Sequence, residues 1–359
     1  MNRIELAEHP RILVVALRRL GDVLLTTPLI RSLRRAWPDA TIEALVFADT
    51  AGILAGNPDL NGIVTMPPRP TTGQGLILAA KLWRRYDLAI STQSGDRPTG
   101  FAVIAGRRRV GLIEADVNGR VKQVLLNRSL TVGRGVHRVE EMLRLTDLIG
   151  IERVPELVAP RSADAGGMPA GPYAVIHAAP MFRYKQWSKQ GWRELAAALV
   201  ARGLTVMATG GPAESERRYL DDVWSGAPVR RLDGQLDWPQ LGDLLANARI
   251  YVGPDTSVTH LAAASGCATV ALYGPTDPRL WGPWPVGGLP TMWQATGPIQ
   301  QRGNVWLVQN VLTCTQCQLE GCERRLESPS ICLDELPAAR VIEAALAAIA
   351  AARSDRAAG

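Results

Sequence analysis

Four stretches of this chain place ligand-holding or proton-accepting side chains where an apolar run gives way to a helical pattern. The run Ile12 to Leu17 leads into Arg18-Arg19-Leu20-Gly21-Asp22. The end of a parallel strand faces ligand, and Gly21 allows a tight turn there. Asp22 reads either as a helix N-cap or as a carboxylate for acid-base work. Gly253-Pro254-Asp255-Thr256-Ser257-Val258-Thr259-His260 has the same layout. Its helix would begin with free N–H groups and a positive dipole end, which attract phosphate. Asp255 is then an N-cap or a ligand-binding carboxylate, and His260 either faces the same side as Thr256 or is a satisfied buried histidine.

The third stretch, Arg183-Tyr184-Lys185-Gln186-Trp187, follows another apolar run. Lysine is scarce here, four against 36 arginines, so Lys185 at a strand end hints at a need for a compact charge, a surface lysine being the alternative. The fourth, Thr209-Gly210-Gly211-Pro212, either lets a nucleotide approach the backbone or simply turns the chain. Neither G-x-G-x-x-G nor G-x-x-x-x-G-K-[ST] occurs at these turns, which argues against a dehydrogenase or a P-loop enzyme.

The elements that must carry these residues form two similar series. In the first, Ile12–Leu17, Thr41–Phe47, Gly62–Met66, Asp87–Ser91 and Arg109–Leu112 read as strands, with a helix over Val23–Ala36 closed by Pro38. Pro155 to Pro172 lacks periodicity and reads as a linker. In the second, Tyr173–His177, Leu204–Thr209, Val229–Leu232, Ile250–Gly253 and Thr269–Tyr273 read as strands, with helices near 191–202, 213–224, 237–247 and 256–265. Such alternation implies an α/β fold of parallel sheets with helices on both faces. A length of 359 residues, at about 150 residues per domain, also favours two domains. Beyond Gly274 the pattern dissolves until an amphipathic helix, Leu336–Ala352.

Composition narrows the function. With 47% hydrophobic and 21% charged residues the chain is globular. The longest apolar run is interrupted by Arg340 and Glu343, short of the roughly 20 residues that span a bilayer. Glu5, Glu8 and His9 precede the first apolar run, so no secretory signal is read and a cytoplasmic location is expected. The net charge of +6 lies wholly in residues 1–165, which hold 23 Lys and Arg against 17 Asp and Glu. That asymmetry fits an anionic partner, or a solvated basic face. With 19 aromatics and no recognition motif, nucleic acid is not expected. Cys314, Cys317, Cys322 and Cys332 form a local cluster whose first pair has zinc-ligand spacing; structural zinc, reduced thiols and a labile disulfide all fit it.

Taken together, four ordered motifs resemble the lipopolysaccharide heptosyltransferases of glycosyltransferase family 9. They are Ile12-Leu13-Val14-Val15 with Leu20-Gly21-Asp22-Val23-Leu24-Leu25-Thr26-Thr27-Pro28; the Lys185/Trp187 loop before Trp192-Arg193-Glu194-Leu195; Asp255-Thr256-Ser257 through His260-Leu261-Ala262-Ala263-Ala264; and Tyr273-Gly274-Pro275-Thr276-Asp277-Pro278. The likeness runs from about residue 11 to about residue 350. Phe47 to Pro58 and Trp281-Gly282-Pro283-Trp284 look most like the heptosyltransferase III branch.

The resemblance implies a GT-B fold: two Rossmann-like parallel-sheet domains facing each other across a cleft. Residues 1–165 would bind acceptor and 166–335 the nucleotide sugar, with the helix in 336–359 crossing back to the first domain. It implies an inverting, metal-independent transfer, with no cofactor, from ADP-L-glycero-β-D-manno-heptose to the anionic lipopolysaccharide core. The enzyme would sit peripherally on the cytoplasmic face of the inner membrane. Asp22, beside Gly21, takes the general-base position. Lys185 would neutralise the departing diphosphate with the helix start at Thr256 and Ser257, and Asp255 would bind sugar hydroxyls. Thr209, Gly210, Gly211 and His260 complete the expected donor site. The chain departs from better-known members at Ala178-Ala179-Pro180, where they place hydroxyl residues, and Arg183 is the expected substitute. Two alternatives are a related transferase using another nucleotide sugar, and a catalytically silent binding protein. The joint presence of Asp22, Lys185 and Asp255 speaks against the silent one.

Overall fold

The computed structural model describes residues 2–162 and 169–358, with side chains to 352. The chain divides into two compact units, Met1–Pro160 and Arg161–Gly359; the boundary expected at 165/166 lies outside the described residues. The first unit contains β1 (Arg11–Val15), α1 (Leu20–Leu24), α2 (Thr27–Ala36), β2 (Thr41–Phe47), β3 (Gly62–Met66), α3 (Thr72–Leu82), β4 (Tyr86–Ser91), α4 (Asp96–Ala105), β5 (Gly106–Ile113), α5 (Val117–Leu125), β6 (Arg128–Thr131) and α6 (Arg138–Ile149). Its six strands run in the order β3-β2-β1-β4-β5-β6, every pairing parallel.

The side-chain period of two explains why these strands are apolar throughout. Ile12 and Val14 of β1 enter one core with Leu29, Ile30 and Leu33 of α2 and Met142, Leu145 and Ile149 of α6. Leu13 and Val15 enter the opposite core with Phe101, Ala102 and Ala105 of α4 and Leu82 of α3. The single helix expected over Val23–Ala36 is two. The Thr26 and Thr27 hydroxyls donate to the Val23 and Leu24 carbonyls (2.7 and 2.8 Å), and Pro28, which has no N–H to continue α1, sits in the first turn of α2.

The second unit contains β7 (Tyr173–His177), α7 (Lys189–Val200), β8 (Thr205–Thr209), α8 (Glu214–Val223), β9 (Val229–Arg231), α9 (Trp238–Asn247), β10 (Ile250–Pro254), α10 (Ser257–Ala264), β11 (Thr269–Tyr273), α11 (Pro278–Trp281), β12 (Ile299–Arg302), β13 (Val305–Gln309), α12 (Ile331–Asp334) and α13 (Ala338–Ala358). The sheet order is β12-β13-β11-β10-β7-β8-β9. Only β12 runs antiparallel, against β13. Both sheets are doubly wound about their first strand, so the winding reverses between β1 and β4 and between β7 and β10.

The terminal helix corrects an expectation. Val341, Ala344, Ala345 and Ala348 of α13 are buried in the core of the second unit with Ile176, Trp192, Leu195, Val252 and Val308. The helix packs on α7, β10, β11 and β13, where it had been expected to pack on the first domain. An apolar stripe announces that a helix will be covered but not by which sheet. The Trp187 ring meets Trp192 edge-on at 4.8 Å and donates from Nε1 to the Leu336 carbonyl (2.8 Å), tying the start of this segment to the loop after β7.

Because Val341 is fully buried, Val341→Asp should cost the second unit about 4 kcal/mol, the scale of an unpaired charge forced into a core. Eight of the ten tryptophans lie in that unit, so urea unfolding followed by tryptophan fluorescence reads it directly. An unchanged midpoint would contradict the assignment.

Candidate functional site

In the first unit the loop after β1 presents Asp22. It is the third residue of α1, whose N-cap is Arg19, so its carboxylate does not cap the helix. Gly21, half-buried, precedes it and accepts from the Leu25 N–H at 2.9 Å. Asp22 is buried, and among the described residues its Oδ1 accepts no hydrogen bond. The nearest cation is the buried Arg138, whose Nε lies 3.6 Å from Oδ1. Arg138 is itself fixed by Glu141 (2.6 Å) and by the Thr92 carbonyl after β4 (2.9 Å). A carboxylate held beside a fixed cation, with an oxygen still able to accept a proton, has the disposition of a general base. Arg138 escaped the sequence reading. Its one signal is a charged i, i+3 pair with Glu141 on the buried side of α6.

In the second unit the loops after β7 and β10 meet at the winding reversal. Lys185, in the 3-10 turn Arg183–Lys185, donates from Nζ to Asp255 Oδ2 at 2.5 Å. Asp255 follows β10 and is buried. Burial pushes its carboxyl up, but the charges of Lys185 and His260, with hydrogen bonds from Lys185 and Thr276, outweigh that and hold it below the usual carboxylate range. Tyr273, at the end of β11, turns its hydroxyl to Asp255 Oδ1 (3.3 Å) and to the Trp281 carbonyl (2.6 Å). Burial, and then the adjacent Asp255 charge, push that phenol well above its ordinary value, so it stays a donor.

The cap of α10 falls to Thr256, whose hydroxyl accepts from the Thr259 N–H; Asp255 is thereby free of the capping role it could have had. Ser257 is the first helical residue, and the first N–H groups of the helix lack intrahelical acceptors. His260 is buried one turn on, close enough for its charge to act on Asp255. Lys185, Asp255, Thr256, Ser257 and His260 are thus brought together.

The remaining expected residues are engaged by other side chains of the second unit. Arg183 pairs with Asp334 of α12 at 3.2 Å, a partner 151 residues away with no local signature. The Thr209 hydroxyl contacts His177 Nδ1 at 3.1 Å, and burial drives that imidazole down to about 4, leaving it neutral. The Gly211 N–H donates to Glu216 (2.6 Å). A Cβ on Gly211 would meet Glu216 at 2.6 Å and one on Gly210 would meet Leu220 at 2.4 Å, so this glycine pair answers a close approach from α8. Burial, chiefly, raises the Glu216 carboxyl.

Cys314, Cys317 and Cys322 are exposed and Cys332 is buried, all as free thiols. Burial first, then the three neighbouring thiols, push Cys332 up to about 12. Among the described residues no group of three or more His, Cys, Asp or Glu is disposed to hold a metal ion.

Comparison with known proteins places the fold and the family. The chain is 27% identical over 296 residues to lipopolysaccharide heptosyltransferase 3 of Escherichia coli, covering 74% of this chain and 83% of that protein. Among solved structures, an E. coli ADP-heptose lipopolysaccharide heptosyltransferase II superposes with a TM-score of 0.72 at 21% identity, over 95% of this chain and 98% of that one. An E. coli heptosyltransferase solved with ADP gives 0.67 at 22% identity, over 83% and 92%. The likeness of fold bears out the expected GT-B architecture of two mostly parallel sheets. Residues 78–288 match the family model described as glycosyltransferase family 9 (heptosyltransferase), and with more than half its length so matched the chain belongs to glycosyltransferase family 9.

Proposed function

We propose that the protein transfers heptose from ADP-L-glycero-β-D-manno-heptose to the lipopolysaccharide inner core, with inversion and without a metal. The relative named lipopolysaccharide heptosyltransferase 3 supports placing the chain in the heptosyltransferase III branch. The observation that carries the reading is the part-buried Lys185–Asp255 pair at the strand ends of the second unit, next to the start of α10. Lys185 keeps two N–H donors after binding Asp255, and these meet the diphosphate with the free amides of α10. Fixed positive charge where negative charge develops does the work of a metal. Asp255 orients Lys185 and takes sugar hydroxyls, and His260 stands behind it.

The chemistry is a single displacement. An acceptor hydroxyl oxygen bonds to the anomeric carbon as its proton passes to Asp22. The bond from that carbon to the phosphate oxygen breaks, its electron pair leaves with ADP, and the configuration inverts. Arg138 holds Asp22 in place. The first unit carries the excess of basic side chains and takes the anionic acceptor. Because that acceptor is lipid-linked, the enzyme works peripherally at the cytoplasmic face of the inner membrane; among the described residues no helix is long and apolar enough to cross one.

Asp22→Asn should lower turnover by about 10²- to 10⁴-fold, the range of a lost general base, while the dissociation constant for ADP stays the same. A loss of ADP binding in its place would make Asp22 structural. Lys185→Ala should weaken ADP binding at least about tenfold. It should also lower the unfolding free energy by about 3 kcal/mol, because Asp255 is left buried without its countercharge. Calorimetric titration and urea unfolding measure the two effects separately, and unaltered ADP affinity would remove Lys185 from the diphosphate site.

A further inference from the structure

Helix α5 is turned inside out. Its buried side carries Gly119 and Lys122, the lysine donating to the Ser94 carbonyl (2.5 Å) and pairing with Asp96 (2.7 Å). Val117, Val121, Val124 and Leu125 point outward, 76, 56, 86 and 44% exposed. Their spacing of four, three and one residues makes a single stripe on a helix. The neighbouring α3 does the same with Leu76 (66% exposed), Ile77 (60%), Ala80 and, at its C-cap, Trp83 (65%). The two helices flank α4: α3 packs against it, and Asn118 of α5 donates to Asp96 at its first residue (3.0 Å). Among the described residues, every exposed large apolar side chain of the first unit lies on these two segments. No core explains the stripes.

The charge around them is one-sided. Residues 69–125 hold ten Lys and Arg against four Asp and Glu. Lys81, Arg84 and Arg85 are exposed beside the α3 stripe, and Arg97 and Arg120 are exposed near the second. Of the acids, Asp96 is taken by Lys122 and Asp116 caps α5. An apolar stripe with a tryptophan and a basic border is what binds in the headgroup plane of an anionic bilayer, each base near that surface adding to the attraction. The same basic border disfavours a second copy, because two like-charged faces would repel.

We propose that the α3/α5 face of the first unit is a docking surface for an anionic lipid bilayer. The proposal rests on the reading of the acceptor as lipid-linked and names the surface that reading leaves open. Flotation of the full chain with vesicles tests it, phosphatidylglycerol–phosphatidylethanolamine against pure phosphatidylcholine, at low and high salt. The wild type should float with the anionic vesicles, and less so at high salt. Val121→Asp/Val124→Asp and Ile77→Asp/Trp83→Ser should each float at least about tenfold less, with unchanged melting temperature and unchanged ADP affinity. Variants that float as well as the wild type would overturn the assignment of this face while leaving membrane association intact. A wild type that does not float with either vesicle would overturn membrane docking itself. A dimer dissolved by the same substitutions, without flotation, would assign the face to a second copy and overturn the proposal.

Discussion

A buried carboxylate needs a countercharge, and the second unit is arranged so that Asp255 has one. Burial alone would raise its carboxyl; Lys185 at 2.5 Å, with His260 and Thr276, reverses the direction. The pair exists because β7 and β10 are adjacent parallel strands, Tyr251 registering with Val175 and Val252 with Ile176. Loops leaving the same end of neighbouring strands must converge, and here they converge where the winding reverses. The Trp187 anchor to the Leu336 carbonyl then fixes the lysine loop from behind. In this way the last helical segment of the chain, through its place in the second core, supports a charge pair formed by two distant loops.

The first unit repeats the principle with different chemistry. Its reversal lies between β1 and β4, and Asp22 and Thr92 lie beyond those strands. There the carboxylate is left with an acceptor oxygen to spare, while Arg138 spends its other donors on Glu141 and the Thr92 carbonyl. In the proposed reaction one sheet end stabilises negative charge and the other accepts a proton.

Much of this was legible in the sequence because strands buried on both faces are apolar without interruption. Thr41–Phe47, Gly62–Met66, Tyr173–His177 and Thr269–Tyr273 were read with the bounds they have. The short polar β6 and β12 were not read, since neither Arg128–Thr131 nor Ile299–Arg302 has an apolar pattern, and the apolar β13 was passed over with the segment beyond Gly274. Asp22, Lys185 and Asp255 were legible because each lies between the end of an apolar run and the helical pattern that follows it. Arg138 and Asp334 were not, because each acts through a partner that folding alone brings near. The destination of α13 failed for the same reason: its stripe required burial, and the choice of core depended on side chains more than a hundred residues earlier.

A second unit that holds the diphosphate of an adenosine nucleotide sugar must be stabilised by ADP. The most direct measurement is the melting temperature of the purified protein with ADP, UDP, GDP, CMP or NAD at equal concentration, since only a ligand of the native state raises it. ADP alone should raise it. A rise with UDP or GDP, and none with ADP, would contradict an adenosine donor and assign the fold a different one.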